Sequence, residues 1–357
     1  VTGTDGKTTT SQIIKELLSN FSNTAYLGTN GFSINNKNIT TKNTTPSLEE
    51  IFYFIDKTKK LNGKNLVLEA SSEGLLQNRC YNLNFNYAIL TNITKDHLNT
   101  HKNFENYLES KAKLFKQTIS YNILNIDDKN YKYIKNNTNK KILTYGENKS
   151  ADFYFYDISE IDNNTVFKLK YKNKIYKIKS PLKGNFNVYN LVAAIIVVSL
   201  FDIPIEDIID KIREIKDIKG RLNFLDFNQD YKIILDYAHT INATKEVLEY
   251  IRGICKKNII TVVGCAGKRD KSKRSVIGKI VSDISDYCIF TSDDPRYEKP
   301  IDIINEMIKD IDKNNYEIII NRKKAIKEAL KMARKNDYVV ILGKGMDNYM
   351  AYKNKYK

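Results

Sequence analysis

Apolar residues along the first third of the chain fall into two recurring patterns. In SQIIKELLSNF, Ile13, Ile14, Leu17, Leu18 and Phe21 recur at helical spacing, which predicts a helix. KNLVLEASS and FNYAILTNIT are instead short apolar runs ending in polar loops, the pattern of buried strands. Alternation of the two as far as about residue 117 predicts a mostly parallel sheet, with ligands at the carboxyl ends of its strands. From residue 118 to 180 the period changes. ADFYFYDI, NTVFKLKYK and KIYKIKS alternate polar and apolar positions, which predicts a small antiparallel patch on the same domain. GNFNVYNLVAAIIVVSLF then begins a strongly apolar helix.

A second α/β rhythm starts near Gly220. Its predicted strands are KIILDYAH, NIITVVGCAG, DYCIFTSDD, YEIIIN and DYVVILGKG, separated by helical patterns. The seam falls at about 215–220, in the charged stretch REIKDIKG, so the expected domains are 1–217 and 218–357. Neither an internal repeat nor a low-complexity linker interrupts them.

Composition narrows the picture in a few places. The chain has 357 residues and is 41% hydrophobic, enough for packed cores in two domains. A net charge of +16 invites a nucleic-acid reading. The excess is mostly lysine, however, spread among asparagine and tyrosine as in NKKILTYGENK, with no single basic helix or arm. A solvated basic surface is therefore expected, with no nucleic-acid partner. No run approaches the length of a membrane span. Cys80, Cys255, Cys265 and Cys288 are scattered without a C-x-x-C pair, as free thiols in a reducing compartment would be. These features suggest a cytoplasmic monomer that does not insert into membranes.

Candidate chemistry begins in VTGTDGKTTT. Gly3 to Thr8 form a glycine-rich turn followed by lysine and hydroxyls, and the predicted helix comes directly after. Backbone N–H groups of such a loop can curl around phosphate, with the helix N-terminus behind them. The spacing is shorter than G-x-x-x-x-G-K-[ST], but the roles carry over: Lys7 would reach the β/γ-phosphates and the Thr8 hydroxyl would hold Mg²⁺. Other polar groups fall where predicted strands end: Glu69 after LVLEASS, His97 after AILTNITKDH, and Lys111 on the helix NFENYLESKAKLF. A carboxylate, an imidazole and the loop hydroxyl could together bind divalent metal beside ATP phosphates.

In order along the chain, GTDGKTTT, EASSEGL, TNITKDHL with YLESKAKLF, GNFNVYN, GRL, DYAHT, GCAGKRD, SDDPRYEKP and GKG resemble the motifs of the Mur ligases, most of all the branch that acts on UDP-MurNAc-dipeptide. The resemblance runs from residue 1 to about 350. It implies an α/β fold: a P-loop central domain with a mostly parallel sheet and a small antiparallel patch, then a Rossmann-like α/β domain. It also implies an ATP-dependent amide-bond ligase working through an acyl phosphate in peptidoglycan precursor synthesis. The substrates would be ATP, UDP-MurNAc-L-Ala-D-Glu and a diamino acid, meso-diaminopimelate or lysine. A Mur-like ligase with another acceptor, such as a folylpolyglutamate, polyglutamate or lipid-linked cell-wall substrate, remains the alternative. A non-catalytic nucleotide- or nucleic-acid-binding protein is a more distant one.

By position, the resemblance assigns Gly3, Thr4, Asp5, Gly6, Lys7, Thr8, Thr9, Asn190, Arg221, Asp236 and His239 to ATP. Thr8 and Glu69 would hold one Mg²⁺. His97 and Lys111 would serve a second, Lys111 as a CO₂-derived carbamate, and Lys7, His97 and Lys111 would be the catalytic set. Asn43, Thr44, Thr45, Ser71, Gln77 and Arg79 would contact UDP-MurNAc-dipeptide, with Glu73 standing where the family often has histidine. Arg269, Asp293, Asp294, Pro295, Arg296, Gly343 and Asp347 would receive the amino acid. Arg296 can pair bidentately with a carboxylate and Asp347 can meet a distal ammonium. Asp294 replaces the family's asparagine, and Met346–Asp347 replaces a common His–Glu. Since an additional N-terminal domain precedes the P-loop in this family, the chain is expected to be a fragment: the central domain with its first strand cut, and a C-terminal domain cut at its end.

Overall fold

Gly6 takes the left-handed conformation (φ 79°) at the head of the first helix, where a side chain would be strained. A Cβ there would also approach Asn190 Oδ1 to 2.5 Å, so both conformation and space favour glycine. In the computed structural model, which describes residues 1–347, 349–353 and 355–356, the chain divides into two units, Val1–Lys216 and Asp217–Lys357.

The first unit begins with α1 (Lys7–Ser19), β1 (Thr24–Gly28), β2 (Gly31–Ile34), β3 (Lys37–Ile39), α2 (Leu48–Lys60), β4 (Asn65–Leu68), α3 (Ser72–Leu76) and β5 (Phe85–Leu90). It continues with α4 (Leu98–His101), α5 (Phe104–Lys116), β6 (Thr118–Asn125), α6 (Tyr131–Asn136), β7 (Lys141–Gly146), β8 (Phe153–Ile161), β9 (Asn164–Tyr171), β10 (Lys174–Ser180), α7 (Asn185–Ser199) and α8 (Ile205–Ile212). Two strand arrays result, ordered β3-β2-β1-β4 and β10-β9-β8-β7-β6-β5. Val1 and Thr2 lie between them. The Val1 nitrogen donates to Leu68 O (2.8 Å) and Ala70 N to Val1 O (2.8 Å), while Thr2 N donates to Ile89 O (2.9 Å) and Thr91 N to Thr2 O (3.0 Å). The phosphate loop therefore leaves the sheet between β4 and β5, at their carboxyl ends.

β5 to β8 pair in parallel, and β8, β9 and β10 pair antiparallel, as the change of period predicts. One face of that patch is apolar: Phe153, Phe155, Phe167, Leu169 and Ile178 are all buried. α7 is apolar all round because it is covered all round. Every residue from Leu191 to Val198 is buried, and the helix packs on α1 and on β6 to β9.

The second unit contains β11 (Asn223–Leu225), β12 (Lys232–Leu235), α9 (Ile241–Ile254), β13 (Ile259–Val263), α10 (Arg274–Ile284), β14 (Tyr287–Phe290), α11 (Pro300–Ile308), β15 (Tyr316–Ile318), α12 (Arg322–Met332) and β16 (Tyr338–Ile341). The short strands β17 (Ala351–Tyr352) and β18 (Lys355–Tyr356) follow. The sheet order is β11-β12-β16-β13-β14-β15, parallel except for β11. Its continuous apolar strands, such as Ile259–Val263 with every residue buried, are those of a sheet covered on both faces. The loops after β12, β13, β14 and β16 all leave its carboxyl edge, and they carry the predicted polar motifs. Among the described residues no helix is long and apolar enough to cross a membrane. The four cysteines are buried free thiols.

Candidate active site

In the first unit the phosphate loop is braced by its neighbours. Thr4 Oγ1 meets the Tyr107 hydroxyl at 2.9 Å, Thr4 N donates to Asn92 O (2.8 Å), and Asp5 N donates to Asn92 Oδ1 (3.0 Å). Lys7 folds back on the loop, its ammonium donating to Gly3 O (3.0 Å) and Thr4 O (2.7 Å). A phosphate drawn into the loop would offer that ammonium a charged acceptor in place of two carbonyls.

Glu69 lies behind the loop, fully buried. Its Oε2 accepts from Thr8 Oγ1 (3.0 Å) and Thr29 Oγ1 (3.1 Å), while its Oε1 accepts from Thr29 N (3.1 Å) and the Tyr26 hydroxyl. Burying a carboxylate is costly unless donors or a cation meet it. Here neutral donors meet it, and the P-loop threonine is one of them. This donor set fits a hard divalent cation, which takes carboxylate and hydroxyl oxygens.

Lys111 is 1% exposed, donates to Gly3 O at 2.7 Å, and sits 4.6 Å from the centre of the Tyr107 ring. Burial, with Lys7 adding repulsion, pushes its ammonium well below the usual lysine range. A neutral amine is the form that adds CO₂, so the environment suits the expected carbamate.

His97 adopts a left-handed backbone (φ 56°) at the start of α4. Its Nδ1 lies 3.6 Å from Glu73 Oε1 and its Nε2 3.6 Å from Asp96 Oδ2, too far for hydrogen bonds. His101, one turn on, is buried, with Ser110 Oγ 3.3 Å from Nδ1. Burial lowers its pKa to about 4. Among the described residues no three His, Cys, Asp or Glu side chains converge on one metal position. A cation at Thr8 and Glu69 would therefore complete its shell with ligands from substrate or water.

The remaining residues predicted for this unit separate by role. Asn190 is buried, its Oδ1 accepting from Thr10 Oγ1 (3.0 Å) and its Nδ2 donating to Asn187 Oδ1 (3.0 Å). Its amide thus ties α7 to the P-loop helix. Thr45 is also fully buried. It donates to Glu69 O (2.8 Å), accepts from Ser71 N (2.8 Å), and its carbonyl takes Arg79 Nη1 (2.7 Å). Thr44 meets Thr29 Oγ1 at 3.1 Å, and Arg79 also pairs with Gln77. Thr44, Ser71, Gln77 and Arg79 thus gather around the buried Thr45 beside Glu69, and Asn43 is exposed next to them.

In the second unit, Asp236 accepts from Leu222 N (2.6 Å) and Ala238 N (2.6 Å), holding the GRL and DYAHT segments together. The Arg221 guanidinium stacks 4.6 Å from the Tyr237 ring centre, and His239 is exposed with Nδ1 2.8 Å from Tyr237 O. Lys344 stands among carboxylates, 2.7 Å from Asp294, 3.8 Å from Asp293 and 4.0 Å from Asp347. Burial raises the pKa of both Asp293 and Asp347. Arg296 Nη1 donates to Gly267 O (3.2 Å), and Arg269 lies half-buried in the loop after β13.

Sequence reasoning missed Tyr26 and Thr29 on Glu69, Lys344 beside Asp294, and Arg322. The last is buried on α12, with Nη2 donating to Leu342 O (2.6 Å) and its charge acting on Asp293. Lys344 sits inside GKG, three residues before Asp347, and that motif was the available signal; its nearness to Asp293 and Asp294 is set by the fold. Nothing local marks Tyr26 or Arg322.

Fold and loop together define the class, a P-loop α/β protein with a second, mainly parallel α/β unit. Residues 1–198 match the Mur ligase middle domain and 220–345 match the Mur ligase glutamate ligase domain. The chain belongs to the Mur ligase family. It is 39% identical to a UDP-N-acetylmuramoyl-L-alanyl-D-glutamate–2,6-diaminopimelate ligase of Fusobacterium nucleatum, across 98% of this chain and 72% of that protein. A solved structure of a ligase with the same description is 32% identical, with a TM-score of 0.68 over 99% of this chain and 74% of that one. MurF ligase from Thermotoga maritima in complex with ADP shares the fold at 19% identity, with a TM-score of 0.73 over 96% of this chain and 75% of that one.

Proposed function

We propose that this chain is an ATP- and Mg²⁺-dependent ligase of cytoplasmic peptidoglycan precursor synthesis, joining 2,6-diaminopimelate to UDP-MurNAc-L-Ala-D-Glu. The observation that carries the reading is the fully buried Glu69 carboxylate held 3.0 Å from the P-loop hydroxyl of Thr8. The diaminopimelate ligase with which it shares 39% identity supports the choice of substrates.

A carboxylate is a poor electrophile. Its oxygen attacks the γ-phosphorus, ADP leaves, and the acyl phosphate that forms has a good leaving group. The amine then attacks the acyl carbon, phosphate departs, and the amine's proton is lost. Charge concentrated on the transferring phosphoryl is the obstacle to the first step. The phosphate loop presents backbone N–H groups to it, and Lys7 exchanges its two carbonyl partners for phosphate oxygens. Mg²⁺ held by Thr8 and Glu69, and a second ion served by His97 and the Lys111 carbamate, would supply further charge neutralisation. Asn190 fixes α7 against the P-loop helix on the adenosine side, while Arg221, Asp236 and His239 form the second unit's nucleotide segment. Thr44, Ser71, Gln77 and Arg79 line the acceptor side, with Thr45 setting their positions. Arg269, Arg296 and Asp347 receive the amino acid, Arg296 pairing with a carboxylate and Asp347 with an ammonium.

The test is phosphate release by the protein with ATP, Mg²⁺ and UDP-MurNAc-L-Ala-D-Glu, scored with diaminopimelate, lysine or no amino acid. Release that depends on both acceptor and diaminopimelate is expected. Equal release with a folate or polyglutamate acceptor would overturn the reading.

A further inference from the structure

The loops after β13 and β14 carry Arg269, Asp294 and Arg296, and they are fastened to each other. Gly267 N donates to Asp294 O (3.0 Å), Arg296 Nη1 donates to Gly267 O (3.2 Å), and Lys268 N donates to Glu298 Oε1. A Cβ on Gly267 would come within 2.0 Å of Pro295 O, so the two backbones touch where only glycine fits. Lys268 (φ 49°), Asp294 (φ 37°) and Arg296 (φ 52°) all lie in the left-handed region. Non-glycine residues hold such conformations only where the surroundings over-determine them.

Arg296 is held directly by the segment Ala351–Lys353, its N donating to Ala351 O (2.9 Å) and its O accepting from Lys353 N (2.7 Å), while Asp294 Oδ1 accepts from Ala351 N (3.0 Å) and Lys344 Nζ (2.7 Å). The same two loops are tied together from another side by Arg274, the first residue of α10. Its side chain is 1% exposed. Nη1 reaches Glu298 Oε2 and Glu306 Oε2, both at 2.8 Å, while Nη2 reaches Glu298 Oε1 at 3.0 Å and Ala266 O at 3.1 Å. One guanidinium thus binds the β13 loop through Ala266, the β14 loop through Glu298, and α11 through Glu306. The Arg274–Glu298 contact is bidentate, the geometry that fixes orientation as well as distance. Hydrogen bonding to Arg274 holds the Glu298 pKa at about 2, so the pair stays charged at any working pH.

We propose that Arg274 and Glu298 are positioning residues for the incoming amino acid: they lock the two loops into one platform and so aim Arg269 and Arg296. The proposal rests on the assignment of these loops to the amino acid above. Neither residue need touch substrate. Loosening the lock should weaken amino-acid capture while leaving the nucleotide's own contacts in place.

The experiment compares the parent protein with Glu298→Gln, Arg274→Met, Arg274→Lys and Arg296→Ala. Each is assayed by phosphate release with ATP, Mg²⁺, UDP-MurNAc-L-Ala-D-Glu and diaminopimelate, after far-UV circular dichroism and a thermal melt. In Glu298→Gln, KM for diaminopimelate should rise about tenfold or more, a loss of uniform binding, with KM for ATP nearly unchanged. Arg274→Lys should recover part of what Arg274→Met loses. Glu298 is 20% exposed, so Glu298→Gln carries the test even if Arg274→Met fails to fold. A folded Glu298→Gln protein with the parent KM for diaminopimelate, or with ATP and diaminopimelate KM rising together, would overturn the proposal. Full activity in Arg296→Ala would instead bring down the amino-acid assignment beneath it.

Discussion

At the scale of single residues, the molecule keeps ionisable groups in dry surroundings and lets their neighbours decide their charge. Glu69 is surrounded by hydroxyls and a backbone N–H from Thr8, Tyr26 and Thr29, so an amide of the same shape keeps most of those contacts. Glu69→Gln should therefore fold normally and lose Mg²⁺-dependent turnover by about a hundredfold or more, since charge stabilisation at a transferring phosphoryl is a large term. Undiminished phosphate release in that variant would remove Glu69 from the metal site. His101 makes the converse case. Its pKa is about 4 in the folded protein and near 6.5 when exposed. The unfolded chain binds the extra proton between those values, so the stability this residue contributes is complete above about pH 6.5 and is lost as pH falls towards 4. The shift corresponds to about 3 kcal/mol. Urea midpoints from pH 7 to pH 4 should fall less steeply for His101→Gln than for the parent. Parallel slopes would mean that His101 takes up its proton over the same pH range in the folded and unfolded states.

Among elements, α1 shows how far periodicity reads and where it stops. Ile13, Ile14, Leu17 and Leu18 are buried as their spacing predicts, but Phe21 falls beyond the helix end at Ser19 and is 41% exposed. Leu17→Ala should cost about 2–5 kcal/mol, the range for a fully buried leucine that leaves a cavity. Phe21→Ala should cost less than about 1 kcal/mol by the same urea measurement. Comparable losses would contradict the packing of α1 on α7. The apolar runs that form β4, β5 and β13 were equally legible, most of all β13, where every residue is buried. β1, β2 and β3 were not foreseen. They are only 5, 4 and 3 residues long, and the pairing of β1 with β4 is a tertiary matter that no local period records. Turn-forming Asn30–Gly31 and Asn35–Asn36 were the available cue to that hairpin series. Missing those elements meant missing Tyr26 and Thr29, and with them three of the four hydrogen bonds described on the Glu69 carboxylate. Motifs named the residues proposed to meet ligands, whereas the braces behind them, such as Arg274, Glu298 and Arg322, lie on helices and loops whose meeting is decided by the sheet order.

For the whole molecule, the proposed division of labour can be tested without reference to how the units are arranged. The phosphate loop, Glu69 and Lys111 belong to Val1–Lys216, and the amino-acid platform belongs to Asp217–Lys357. Nucleotide phosphates and the amino acid would then be captured by different bodies of the chain. A ligand that binds only the folded state raises its stability by mass action, about 2.7 kcal/mol at a hundred times its Kd. Arg296→Ala removes a guanidinium from the second unit and nothing from the phosphate loop. The melting temperature of this variant should still rise with ATP–Mg²⁺ by the same increment as that of the parent. Its diaminopimelate-dependent phosphate release should nonetheless fall by about a hundredfold, the cost of a lost charged contact left uncompensated. The reciprocal variant is Lys7→Met, which takes the ammonium from the phosphate loop and should lose both the ATP-induced rise and the turnover. Loss of the ATP increment in Arg296→Ala would show that the second unit's platform helps hold nucleotide, and the two captures would then have to be treated as one event.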